Sequence, residues 1–115
     1  MGTIESRKEK RIPVNELPEK YTGFSILLPH GVESMVYTID ASLNGFGFNS
    51  DSPLDDFIVG SRLVLYPNGT ESPVYGKIVF SCKTDKGTRV GVQLQPYGGY
   101  EVYNKEIQEI LAKTS

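Results

Sequence analysis

Apolar and polar residues alternate in short runs through most of the chain, and turn residues break the runs apart. GFSILL (23–28) is followed by PHG; VESMVYTID (32–40) then sets Val32, Ser34, Val36 and Thr38 against Glu33, Met35, Tyr37 and Ile39. A period of two is strand behaviour. The glycine-rich LNGFGF (43–48) comes next, then the polar break SDSPLDD, then SRLVLY (61–66) closed by PNG. PVYGKIVFSCK (73–83) and TRVGVQLQP (88–96) flank TDKG, a hairpin turn in which Gly87 supplies a positive φ. Only the last stretch changes period. Tyr103, Ile107, Ile110 and Leu111 fall at helical spacing within YNKEIQEILAK, and Asn104 or Gly98 and Gly99 can start the helix. The pattern predicts a mainly β domain of six antiparallel strands closed into a small barrel, with one C-terminal α-helix across its mouth. The rings of Tyr97, Tyr100 and Tyr103 are expected to pack beneath that helix.

A chain of 115 residues holds one cored domain and not two. Twelve Lys and Arg against fourteen Asp and Glu give a net charge of −2, which disfavours broad adhesion to nucleic acid polymers or anionic membranes. The charge is unevenly placed: up to Arg11 there are four bases and two acids, so the head is a basic island on an acidic chain. Residues 1–12 read as a flexible basic arm with no apolar face, and residues 13–115 as the barrel with its helix. The single cysteine, Cys82, cannot form an internal disulfide. No run approaches the ~20 apolar residues of a membrane span, and the charged start lacks the apolar centre of a signal peptide. A soluble cytoplasmic protein with no membrane insertion is expected.

Catalytic and metal chemistry find little support. His30 lies in the PHG turn and Cys82 in an apolar strand, so both read as structural. Asp51, Asp55 and Asp56 lack the ligand spacing and central glycine of a calcium loop and read as a solvated turn. No cofactor is implied. DASLNGFGF (40–48) is different: an acid at a strand end, a hydroxyl two residues on and a glycine three further bring a carboxylate, an O–H donor and bare backbone to one turn. Local turn hydrogen bonding by Asp40 and Ser42 would also explain it.

Read together, Arg7 and Arg11 form an RxxxR pattern and Asp40, Ser42 and Gly45 a [D/N]xSxxG pattern, ahead of a late RVGVQL strand and a terminal helix. In this order, and over essentially the whole chain, these features resemble the PilZ domain family, bacterial receptors for the second messenger cyclic di-GMP. The resemblance implies a PilZ-type barrel that is not an enzyme, binding cyclic di-GMP through Arg7, Arg11, Asp40, Ser42 and Gly45. Arginine's planar fork suits a phosphate or guanine O6 and N7, and an ionised Asp40 suits the guanine edge bearing N1–H and the exocyclic amine. Ser42 would donate to a phosphate or sugar oxygen, and Gly45 would let backbone N–H approach the ligand. Ser6, Lys10 and Gly91 are secondary candidates, Ser6 because a small neighbour of the first arginine leaves room for a stacked ligand pair.

Binding would draw the arm over the barrel and alter the surface offered to a protein partner in motility, adhesion or polysaccharide control. The competing reading is a PilZ-fold protein-interaction module that does not bind nucleotide. A small barrel for single-stranded nucleic acid is disfavoured by the single basic island and the absence of Trp.

Overall fold

The structure is a computed structural model that describes residues 10–28, 31–70 and 72–114. All six predicted strands are present, preceded by a short extra one. β1 (Ile12–Pro13) leads through two single-turn 3-10 helices, Val14–Glu16 and Glu19–Tyr21, into β2 (Gly23–Leu27). β3 (Glu33–Ser42), β4 (Gly45–Ser50), β5 (Arg62–Pro67), β6 (Val74–Thr84) and β7 (Gly87–Gly98) follow, and α1 (Tyr100–Thr114) ends the chain.

The strands run in the order β3-β2-β5-β6-β7-β4, and pairing of β4 back onto β3 closes the barrel. Every pairing is antiparallel. β1 adds to β3 where β2 has ended: β2 pairs with residues 33 to 37 of β3, and Ile12 and Pro13 pair with Ala41 and Asp40. Ile12 is buried in the core, so the chain joins the barrel one residue inside the range 1–12 assigned to the arm. The long lead from Pro13 to Tyr21 also belongs to the fold, since Leu17 and Tyr21 are core residues.

Inward positions of alternating strands fill the barrel. Val36, Phe46, Phe48, Leu65 and Val90 are fully buried, and the rings of Phe24 and Phe46 stack at 4.4 Å, nearly parallel. The TDKG turn forms as predicted, with Thr84 paired to Gly87, whose φ is 149°. His30 lies outside the described residues. Asp55 and Asp56 sit in a 3-10 turn, and among the described residues no group of three or more His, Cys, Asp or Glu is placed to hold a metal.

α1 is fixed by burial and by hydrogen bonds to the β3–β4 hairpin. Tyr103 and Ile107, four residues apart on one helix face, are fully buried, and Tyr103 meets Tyr21 edge-on at 5.2 Å. The Tyr103 hydroxyl shares its one proton between the carbonyl oxygens of Ser42 and Gly45, which flank the hairpin turn. Asn104 donates to the Leu43 carbonyl within the turn, and the Tyr100 hydroxyl donates to the Asn44 side chain. Of the three tyrosines expected beneath the helix, Tyr103 is in the core and Tyr100 packs against it. Tyr97 is the exception: it is half-exposed near the end of β7, its ring 5.2 Å from that of Tyr75.

A second attachment joins α1 to the lead segment. Glu106 accepts from the Tyr21 hydroxyl at 2.7 Å and from the Lys20 ammonium at 2.9 Å. Burial pushes the Tyr21 phenol well above its ordinary range, with the bond to Glu106 and its charge adding to the effect. At Glu106 burial acts to raise the carboxyl, but hydrogen bonds from Lys20 and Tyr21 and the nearby ammonium outweigh it, leaving it below the ordinary glutamate range.

Two outcomes are expected. Tyr103→Phe lowers the unfolding free energy by about 1 to 3 kcal/mol in denaturant titration, because the buried hairpin carbonyls lose the phenolic proton they share. Glu106→Gln destabilises by about 1 kcal/mol or less at neutral pH, since the group is partly solvated. A carboxyl lowered by folding contributes stability above its unfolded-state pKa and loses it as pH falls through the folded one. The difference between wild type and Glu106→Gln therefore shrinks in thermal melts taken below the ordinary glutamate range.

Candidate functional site

The end of β3 carries the polar motif. Val36 and Thr38 point into the barrel, and strict alternation would send Asp40 inward as well. The β3–β4 register shifts between Thr38 and Asp40, so that Thr38 pairs with Phe48 and Asp40 with Gly47. One extra residue, Ile39, turns Asp40 to the outer face. Burial of Ile12 and its pairing with Ala41 then hold the preceding residue, Arg11, beside Asp40.

Arg11 Nη2 lies 2.8 Å from Asp40 Oδ1, with the two side chains 49% and 23% exposed. Arg11 Nη1 is 3.5 Å from Ser42 Oγ, and that buried hydroxyl donates to the Gly45 carbonyl at 3.3 Å. Three of the five main sequence-predicted residues, Arg11, Asp40 and Ser42, therefore meet around one guanidinium, and Gly45 joins them through its carbonyl. Gly45 also has a packing reason to be glycine: a Cβ there would run into the Val92 carbonyl oxygen across the β4–β7 ladder. Arg7 and Ser6 lie outside the described residues. Lys10 is exposed at the start of the described chain, and Gly91 pairs with Gly47 on the same outer face.

A surface concavity of about 520 Å³ begins one residue from Asp40. Its walls include Tyr37, Ile39, Asn49, Lys86 and Arg89, a volume and mixture suited to a small molecule. Asn49 and Arg89 sit two residues from Gly47 and Gly91 on neighbouring strands, hence on the same face as the ion pair. Sequence reading passed over Arg89, although TRVGV places it at the same parity as Gly91. A separate hollow of about 480 Å³ near the start of α1, between Lys20, Tyr21, Tyr75, Gly98 and Val102, contains none of the sequence-predicted residues. The charged cluster, not this hollow, is the candidate site, because there the sequence-predicted Arg11, Asp40 and Ser42 come together.

No protein-family model matches the sequence, and no curated protein matches it. Solved structures do match. The PilZ domain of YcgR from Escherichia coli, solved with c-di-GMP, superposes with a TM-score of 0.63 at 14% identity over 93% of this chain and 89% of that one. Inhibitor of motility (MotI/DgrA) from Bacillus subtilis gives 0.61 at 11% identity over 94% of this chain and 51% of its own. MrkH of K. pneumonia, in complex with c-di-GMP, gives 0.60 at 13% identity over 94% and 52%. The chain thus spans about half the length of the latter two. A closed six-stranded antiparallel barrel with a C-terminal helix, matched over nearly its whole length to these structures, has the PilZ-domain fold.

Proposed function

We propose that this chain is a non-enzymatic receptor domain for cyclic di-GMP, using Arg7, Arg11, Asp40, Ser42 and Gly45. The observation that carries the reading is the Arg11–Asp40 pair beside Ser42 on the outer face of a PilZ fold. Two of the matched structures are c-di-GMP complexes. The chemistry fits: guanine carries the acceptor O6 next to the donor N1–H, so one base edge meets a guanidinium and a carboxylate standing side by side. In the ligand-free chain Arg11 and Asp40 satisfy each other, and the base takes over both bonds. Arg7 supplies a second cation for the two phosphates.

Binding brings the segment carrying Arg7 onto the barrel and changes the surface that a protein partner meets, in a bacterial cytoplasm and in control of motility, adhesion or polysaccharide synthesis. Among the described residues no helix is long and apolar enough to cross a membrane, which suits such a receptor.

Calorimetric titration with cyclic di-GMP tests the site. Wild type binds, and Arg7→Ala, Arg11→Ala and Asp40→Ala each lose about 1.5 to 3 kcal/mol, at least tenfold in affinity. The double variant of Arg11 and Asp40 loses less than the sum, because the two groups touch. Unchanged affinity in all three single variants overturns the site, and no heat with wild type favours a module that engages protein alone. Amide exchange over residues 5–15 slows with saturating ligand if the arm rearrangement is right.

A further inference from the structure

Asp40 is not the only residue that a register shift turns outward. β6 and β7 pair in register from Gly76–Leu94 to Ile78–Val92, the latter two both inward, and the next pair after the shift is Phe80–Gly91. Alternation alone would bury Phe80 two residues beyond Ile78; the extra residue, Val79, turns it out, and its ring is left 44% exposed. The two shifts address the same row. Asp40 pairs with Gly47, Gly47 with Gly91, and Gly91 with Phe80, across β3, β4, β7 and β6.

The middle of this row has no side chains, and its ends lean over it. A Cβ at Gly47 would lie 3.5 Å from Asp40 Oδ1 and 3.9 Å from Arg11 Nη2, so the ion pair covers Gly47. A Cβ at Gly91 would lie 3.2 Å from Phe80 Cδ1, so the ring borders Gly91. Strand spacing puts the Asp40 and Phe80 backbones roughly 14 Å apart, three steps of about 4.8 Å, and the inward-leaning side chains narrow that gap to the scale of one nucleotide. A β-bulge that takes a phenylalanine out of an apolar interior and sets it in water, at the far end of a row that carries a charged cluster, works against core formation. It makes sense if the ring has a face to offer.

We infer that Phe80 is a base-stacking residue of the ligand site, holding a guanine face over Gly91 while Arg11 and Asp40 engage an edge of the ligand. This rests on the proposed cyclic di-GMP reading and adds a contact from β6, on the opposite side of the row from the two sequence motifs. Purine bases stack on aromatic faces without regard to their hydrogen-bonding edges, so Phe80 contributes affinity and the Arg11–Asp40 pair contributes selection.

The chain contains no Trp, so Phe80→Trp introduces a sole indole at the inferred contact. Titration of Phe80→Trp with cyclic di-GMP is expected to retain binding and to quench the indole emission along the calorimetric isotherm. Phe80→Leu and Phe80→Ala lose about tenfold or more in affinity with circular dichroism unchanged. Leu keeps an apolar cover over Gly91, so loss in Leu separates stacking from mere shielding of that glycine. If wild type binds, all three variants bind equally and the indole does not respond, Phe80 is only a cover for the sheet and the inference is overturned. If wild type itself gives no heat, the receptor reading falls with it, an outcome distinct from the first.

Discussion

One strand, β3, has to satisfy three partners, and the rest of the molecule follows from how it does so. Along one edge it holds β2 through residues 33 to 37 and then β1 at residues 40 and 41; along the other it holds β4 and closes the barrel. Backbone donors and acceptors in a buried strand must be paired, so the short β1 is needed to complete the edge that β2 leaves open. That requirement delivers Arg11 to Asp40. The polar cluster is thus a by-product of completing the edge of β3 that β2 leaves open: the β1 pairing that covers it fixes a cation beside an anion.

Much of this was legible in the residues. Strand alternation, the TDKG turn and the helical spacing of Tyr103, Ile107, Ile110 and Leu111 are local signals, and local chemistry decides them. β1 was not legible, since two residues, Ile12 and Pro13, have no period to read. The outward turn of Asp40 was hidden for a related reason. The run Val32, Ser34, Val36, Thr38 predicts an inward residue 40, and a register shift depends on the partner strand, which a single strand's pattern does not contain. Phe80 was hidden in the same way, since alternation from Ile78 predicts an inward residue 80.

Glycines mark the site for two different physical reasons. Gly45 is pressed against the Val92 carbonyl, and no larger residue fits without moving the β4–β7 ladder. Gly47 and Gly91 instead leave room on the outer face, one filled by the Arg11–Asp40 pair and the other bordered by the Phe80 ring. A motif glycine can therefore serve the fold while its neighbours in space, far apart in sequence, clear the surface above the sheet.

Three side chains of α1, Tyr100, Tyr103 and Asn104, already grip the Leu43–Asn44 turn and the carbonyls on either side of it. A molecule arriving at Ser42 finds a hairpin whose backbone has spent its conformational entropy at the folding step. Association at this hairpin would then cost it little further ordering, and the barrel side of the candidate site behaves as a rigid template.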